Sequence, residues 1–321
     1  MFKFEHKAMW TVFELMVIED DHQLAQSAAY KMFEMIDRLE VLFSRFLDVS
    51  EVALISRLKP GETFRVAPEM MELLLVSTQV CGATSGVFDV TVGTLMDKLR
   101  EVNHRWKGLT KDELSAALAT CGMNRLVIDT DNYLVTVKPD RNGEATPVEL
   151  DFGAIGKGYA LDLACDMLVN DWEFKDFLIH GGTSSVIARG SMGDGPKGWP
   201  VGVGGDWQVR TGLNSVRLQD AAISGSGFDV KGKHVVDVRR GIAAARHAAA
   251  WSSAPTAALS DALSTSFLGM NWSEIKAACD AIPGSGALVA REQPKWLDNL
   301  RSPVRQYRFT NHPSPKCFVT S

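Results

Sequence analysis

The run Leu150-Asp151-Phe152-Gly153-Ala154-Ile155-Gly156-Lys157-Gly158-Tyr159-Ala160-Leu161-Asp162 restricts this chain more than any other. It reads as strand, tight turn, helix: Val148 to Phe152 is the strand, the glycines allow close backbone approach, and Tyr159 to Leu168 carries apolar residues at helical spacing. A helix that starts at such a turn offers unpaired N–H donors and the positive end of its dipole to an anion, and Lys157 adds a mobile charge there. Asp151 stands at the edge of the turn. The pattern is neither a P-loop, because Gly158 follows Lys157 where Ser or Thr would be needed, nor the G-x-G-x-x-G of dinucleotide folds. Taken alone it fits a ligand-free strand-to-helix connection equally well.

Length and composition narrow the classes. The chain has 321 residues, 45% of them hydrophobic and 23% charged, which is enough apolar material for a large core and excludes disordered and collagen-like chains. A formal net charge of −5 supplies no overall field toward nucleic acid or an anionic membrane, and no nucleic-acid partner is expected. No run of about 18 apolar residues predicts a membrane span. The amino terminus lacks the basic start, apolar core and small-residue cleavage site of a secretory signal, so a cytoplasmic location is expected. Cys81, Cys121, Cys165, Cys279 and Cys317 are scattered without C-x-x-C pairing, which argues against a disulfide framework or a zinc site.

Along the chain, Ala8 to Ile18 reads as one strand and His22 to Phe46 as a long amphipathic helix. Ser50 caps a short helix, and Pro68 opens another that runs to Ala83. Gly86-Val87-Phe88-Asp89-Val90-Thr91-Val92-Gly93 is an apolar segment interrupted by one acid, which must be paired, capped or in contact with a ligand. Thr110 to Cys121 reads as a capped helix and Arg125 to Val137 as a hairpin. Phe177 to Ile179 is a buried strand that ends in the glycine- and hydroxyl-rich loop His180-Gly181-Gly182-Thr183-Ser184-Ser185. Trp199 to Gly204, Ser215 to Leu218 and Ala221 to Ile223 read as strands of one sheet, and His234-Val235-Val236-Asp237 as a short strand with a titratable base at its start. On the helix from Pro255 to Gly269, Asp261 and Thr265 are four apart and share a face, where they either touch each other or share a hard cation such as Mg²⁺ or Ca²⁺. Strands and helices do not alternate regularly enough for a doubly wound parallel sheet. One domain is expected over residues 1–292, followed by a polar tail over 293–321.

Together these loops resemble the ApbE family, the FAD:protein FMN transferases. Asp151 to Ala160 is similar to the family's D-(L/F)-G-(G/A)-I-(A/G)-K-G-Y-A. Gly86 to Gly93 resembles its G-x-F-D-(I/V)-T-V-G, His234 to Asp237 its H-(I/V)-(I/V)-D, and Asp261-Ala262-Leu263-Ser264-Thr265 its D-A-L-(A/S)-T. His180-Gly181-Gly182 and Ser226-Gly227 match further short pieces. The resemblance implies an α+β fold with a largely antiparallel sheet and packed helices, a T-fold-like core. It implies a divalent cation, Mg²⁺ or Ca²⁺, on the Asp261 and Thr265 side chains and the carbonyls of Ala154 and Ala258. It further implies FAD against Met9, Phe46, Val87, Phe88, Asp89, Asp151, Lys157 and the surroundings of His234, and an acceptor flavoprotein as transient partner.

This chain departs from the family pattern at Trp10, where the family has the glycine of M-G-T, and at Phe46, where a hydroxyl-bearing aromatic is frequent. It departs again at Thr183, at Gly225 and at Val238, in place of D of G-G-D, T of T-S-G and P of H-x-x-D-P. The reaction implied is attack of a Thr or Ser hydroxyl on the FMN phosphorus of FAD. His234 is the candidate base, Lys157 and the cation at Asp261 neutralise charge, and AMP leaves. The alternatives are a flavin-binding or trafficking protein and an FAD pyrophosphate hydrolase. Many relatives of the family are exported, and an upstream segment would change the expected location.

Overall fold

The computed structural model describes residues 1–101, 109–203, 214–227, 235–291 and 306–309. In chain order the elements are β1 (Phe2–Ala8), β2 (Thr11–Val17), α1 (His22–Phe43), α2 (Glu51–Ser56), β3 (Thr63–Arg65), α3 (Pro68–Ala83), α4 (Gly93–Glu101) and α5 (Lys111–Ala119). They continue with β4 (Leu126–Asp129), β5 (Leu134–Val137), α6 (Gly156–Asn170), β6 (Phe177–Gly181), β7 (Ser185–Arg189), β8 (Trp199–Val203), β9 (Asn214–Leu218) and β10 (Ala221–Gly227). The last are β11 (Val236–Asp237), β12 (Ile242–Ala243), β13 (Ala249–Ala254), α7 (Ala257–Phe267), α8 (Trp272–Ala281), β14 (Gly286–Arg291) and β15 (Gln306–Phe309).

Eight strands form one sheet in the order β1-β2-β6-β7-β10-β13-β14-β15, and every neighbouring pair is antiparallel. The expected α+β architecture is therefore present. Alternation along the strands divides the sheet into two buried faces. Phe13, Leu15, Phe177, Ile179, Ile187, Ala222, Ala250 and Val289 face the main core with the helices. Leu178, Val186, Ala188, Ile223 and Leu288 face the other way, against Trp199, Val201 and Val216 of the β8–β9 ribbon. Complete burial of Phe13 and Leu15 contributes about 1.5–3 kcal/mol each. α1 buries Ala25, Ala28, Ala29, Met32, Phe33, Ile36, Leu39 and Phe43, the stripe its spacing predicts, and Asp21 caps its first turn.

Several expectations are corrected. Ala8 to Ile18 is not one strand: Ala8 pairs with Thr11, so Met9 and Trp10 form a two-residue hairpin loop with φ of +48° and +59°. Two successive positive φ values make the loop twist with the strands, a role usually given to Asn or Gly, so neither residue signals a turn. Val148 to Phe152 is not a strand of any sheet; Asp151 N donates to Val90 O and Gly93 N to Glu149 O, which stitches it to the Asp89 segment instead. β8 and β9 form their own two-stranded sheet rather than joining β10. α1 stops at Phe43, so Phe46 lies beyond the helix. Four residues of the expected tail, Gln306–Phe309, pair with β14 at the edge of the main sheet.

Candidate active site

The site grows from the turn before α6. Asp151 Oδ1 accepts from Gly153 N at 2.8 Å and closes the turn, while Oδ2 accepts from Arg45 Nη1 at 2.8 Å. Arg45 was not singled out from the sequence. Its side chain is only 8% exposed, and Nη2 also reaches Asp97 at 2.7 Å and the Gly93 carbonyl at 3.1 Å. A charge held that far from water needs such partners, and Arg45 ties α4, Asp151 and the end of α1 together. Phe46 is 65% exposed, with the Arg45 and Arg100 guanidinium carbons 5.9 and 5.2 Å from its ring centroid. It is available to a ligand, and the two arginines beside it are paired with Asp97 and Asp151.

α6 begins without a side-chain cap. In place of one, Asp261 of α7 reaches across: its Oδ2 accepts from Lys157 Nζ at 2.9 Å and from Gly158 N at 3.3 Å, and its Oδ1 accepts from Ser185 Oγ at 3.2 Å. The close approach depends on Gly158, where a Cβ would lie 2.3 Å from the Ala257 carbonyl oxygen. The Asp261 side chain is 4% exposed and that of Lys157 is 20% exposed, so the pair is screened little by solvent. One turn further along α7, Thr265 Oγ1 and Ser264 Oγ lie 3.1 and 2.9 Å from Ser226 Oγ of β10. Asp162, also on α6, accepts from Ala257 N and Ala258 N. Burial pushes its carboxyl up to about 7, against the pull of those two amides, which favour the anion. Tyr159 donates from its hydroxyl to Glu72 at 2.5 Å, and burial followed by that carboxylate raises its pKa.

Lys157, Asp261, Thr265 and the Ala258 backbone are thus gathered in one seam. Ser185, Ser224 and Ser252 are register partners on the sheet face beneath α7, and the buried Ser224 hydroxyl has no partner among the described residues. Among the described residues no three His, Cys, Asp or Glu cluster as a metal site. A cation at Asp261 would rest on one carboxylate, the Thr265 hydroxyl and main-chain carbonyls. These are hard oxygens, which suit Mg²⁺ or Ca²⁺ rather than zinc, and the unpartnered Ser224 oxygen adds to the same supply. The residues present therefore fit such an ion.

The other candidates are distributed differently. Asp89 accepts from Thr91 N at 2.8 Å, Thr91 Oγ1 at 2.6 Å and Met123 N at 3.2 Å, yet burial outweighs these bonds and raises its pKa. Burial and then Asp89 push the nearby Cys81 thiol up to about 11. Val87 and Phe88 are 4% and 5% exposed and belong to the core, so a ligand at this segment meets backbone and Asp89 rather than those side chains. Met9 packs partly against the core beneath the hairpin loop, while Trp10 is 95% exposed. His234 lies outside the described residues. Gly225 has a local cause: a Cβ there would lie 2.6 Å from Trp251 Nε1, and Trp251 is its register partner on β13. Both point to the β8–β9 side, away from α7.

A family model described as the ApbE family matches residues 9–289, a span that includes every motif named above. This chain belongs to the ApbE family. A curated relative, an FAD:protein FMN transferase from Klebsiella pneumoniae (strain 342), is 23% identical over 246 residues, 73% of this chain and 68% of the relative. The fold is similar to that of the flavin transferase ApbE from Vibrio cholerae, with TM-score 0.76, 19% identity and 96% of both chains covered. It is also similar to the apo form of the Pseudomonas stutzeri flavinyl transferase ApbE, with TM-score 0.76, 20% identity and 96% and 95% coverage. An ApbE protein from Thermotoga maritima, 25% identical, superposes with TM-score 0.73 over 90% of this chain and 93% of its own. The protein is a flavin transferase enzyme, with FAD as the substrate consistent with its family. Among the described residues no helix is long and apolar enough to cross a membrane.

Proposed function

We propose that this flavin transferase moves FMN from FAD onto a Thr or Ser hydroxyl of an acceptor flavoprotein and releases AMP, with a divalent cation held at α7. The observation that carries this reading is the pairing of Lys157 with Asp261 at the amino terminus of α6. It sets an anchored cation and a buried carboxylate beside the positive end of a helix, where a pyrophosphate is attracted. Asp261, Thr265 and the carbonyls of Ala154 and Ala258 would hold Mg²⁺ or Ca²⁺, which when bound offsets phosphate charge and polarises the P–O bond.

In this reading FAD lies with its pyrophosphate along the turn after Asp151 and its flavin toward Met9, Phe46 and Asp89. His234 takes the proton of the acceptor hydroxyl as that oxygen bonds to the FMN phosphorus. The bond from this phosphorus to the bridging oxygen breaks, and AMP departs with the bridging oxygen. Lys157 turns from Asp261 toward the charge that develops there.

The test is incubation of the protein with FAD, Mg²⁺ and a candidate acceptor, followed by intact mass and AMP measurement. One added FMN mass per acceptor is expected, with the rate lowered at least about 100-fold, or about 2.7 kcal/mol, by Asp261→Ala and by His234→Ala. Free FMN and AMP without a modified acceptor would make the protein an FAD pyrophosphate hydrolase. FAD bound and left intact would make it a carrier and end the role given to His234.

A further inference from the structure

Asp162 closes the α6 motif, yet the chemistry proposed above makes no use of it, and its side chain crosses to another helix. Its Oδ1 accepts from Ala257 N at 2.6 Å and its Oδ2 from Ala258 N at 2.8 Å, the first two amides of α7. Thr256 Oγ1 takes the third, Leu259 N, at 3.3 Å, and Ser260 N returns to the Thr256 carbonyl at 3.1 Å. The amides of Ala257, Ala258 and Leu259 are therefore all occupied, two of them by a carboxylate that comes from α6. In the opposite direction, Asp261 of α7 accepts from Gly158 N and Lys157 Nζ in the first turn of α6. Each helix thus caps the amino terminus of the other with a carboxylate, and their backbones touch between the two caps at Gly158 and Ala257.

The two halves of this exchange differ in what they are free to do. Asp261 is the proposed cation ligand, and oxygens that turn to a cation must loosen their hold on Gly158 and Lys157. Asp162 spends both oxygens on main-chain amides of α7, with Asp166 and Arg189 as its charged neighbours, and is no proposed cation ligand. We infer that Asp162 is a positioning residue for the cation site: it clamps the first turn of α7 to α6, so that the Ala258 carbonyl, Asp261 and Thr265 stay in register with Lys157 and Ala154 while Asp261 exchanges partners. The inference rests on the reading of Asp261 as a cation ligand.

The experiment measures Mn²⁺ binding to the full chain by electron paramagnetic resonance, together with KM for Mg²⁺ and kcat with FAD. Three proteins are compared: wild type, Asp162→Asn and Asn271→Ala. The asparagine keeps one acceptor oxygen but turns an NH₂ toward an amide N–H. Asn271→Ala removes the capping box of α8, a helix that packs on α3 and β14. Asp162→Asn is expected to weaken Mn²⁺ binding at least about tenfold and to raise KM for Mg²⁺ in step, with kcat at saturating Mg²⁺ changed less. Asn271→Ala is expected to lower the melting temperature while leaving Mn²⁺ affinity within about twofold of wild type.

Mn²⁺ affinity in Asp162→Asn within about twofold of wild type overturns the inference, as does an equal loss in Asn271→Ala. If Asp162→Asn does not fold, Asp162→Glu replaces it; this keeps the charge but moves it by one methylene, and the same criterion applies. If wild type binds no Mn²⁺, the cation reading of Asp261 fails on its own. Asp162 is then judged on FAD turnover alone, where an unchanged kcat/KM in the variant overturns its role as well.

Discussion

The seam between α6 and α7 and the tip of the β1–β2 hairpin treat backbone and side chains in opposite ways. In the seam the side chains are polar and enclosed, and each charge has a named partner: Lys157 on Asp261, and Asp162 on two amides. At the tip an indole is 95% exposed on a backbone in the left-handed region, where a side chain is disfavoured. The motifs that match on α6 and α7 lie in the seam; Trp10, Phe46 and Thr183 depart at exposed positions, whereas Gly225 departs between Ser224 and Ser226 and Val238 departs while buried. The seam is held by its own packing, while departures fall on the exposed rim, at Val238 and at Gly225, where Trp251 rather than solvent sets the residue.

The sharpest way to break the comparison is to disturb the helix crossing. Gly158→Ala places a methyl group 2.3 Å from the Ala257 carbonyl oxygen, with only backbone to give way. Overpacking there is expected to cost about 1–3 kcal/mol and to lower the melting temperature by several degrees. A full-stability Gly158→Ala protein in a urea titration would show that the seam is looser than its distances state.

Gly225→Thr restores the residue of the family pattern but drives its Cβ into Trp251. A loss of about 1–2 kcal/mol is expected, largely recovered in a background of Trp251→Ala, so that a double-mutant cycle shows coupling. Additive losses would mean that the two residues do not exclude each other.

Asp89 tests the enclosed side through pH. Its folded pKa is raised, so the native state holds a proton that the unfolded chain releases earlier. The resulting stability is complete below the ordinary carboxylate value of about 4 and is lost as pH rises through the folded value. Urea midpoints measured from pH 4 upward should fall in wild type and fall less in Asp89→Asn. Identical slopes would remove burial as the cause.

The smallest effect is expected at the rim. Trp10→Gly relieves left-handed backbone but frees the unfolded chain, for a net gain of about 0–1 kcal/mol. Mn²⁺ affinity should stay unchanged. A marked loss of fold stability in calorimetry would show that the indole is packed rather than displayed.

Local pattern made the seam's ends legible. The helical period of α6, the i and i+4 spacing of Asp261 and Thr265, and the turn signals around Pro68, Ser50 and Thr110 all correspond to elements that formed. Long-range pairing was not legible. Nothing in the sequence near Asp162 states that the first amide it binds lies 95 residues away, nor that Arg45 reaches Asp151 across 106. Gly225 reads as a plain departure until register sets Trp251 opposite it. The hairpin at Met9–Trp10 escaped because its two turn residues are of types that rarely take positive φ.

The reciprocal capping of α6 and α7 also fixes when this enzyme can exist. Gly158 and Asp261 are 103 residues apart, with β6, β7, β10 and β13 of the main sheet between them. A nascent chain on the ribosome has its glycine-rich turn long before it has the carboxylate that completes it. Until Asp261 has emerged, Lys157 has no partner there, and the seam is one open helix end. On the roles proposed for Lys157 and Asp261, flavin chemistry becomes available only after most of the large sheet has been synthesised, and truncated products would carry the signature motif without the ability to use it.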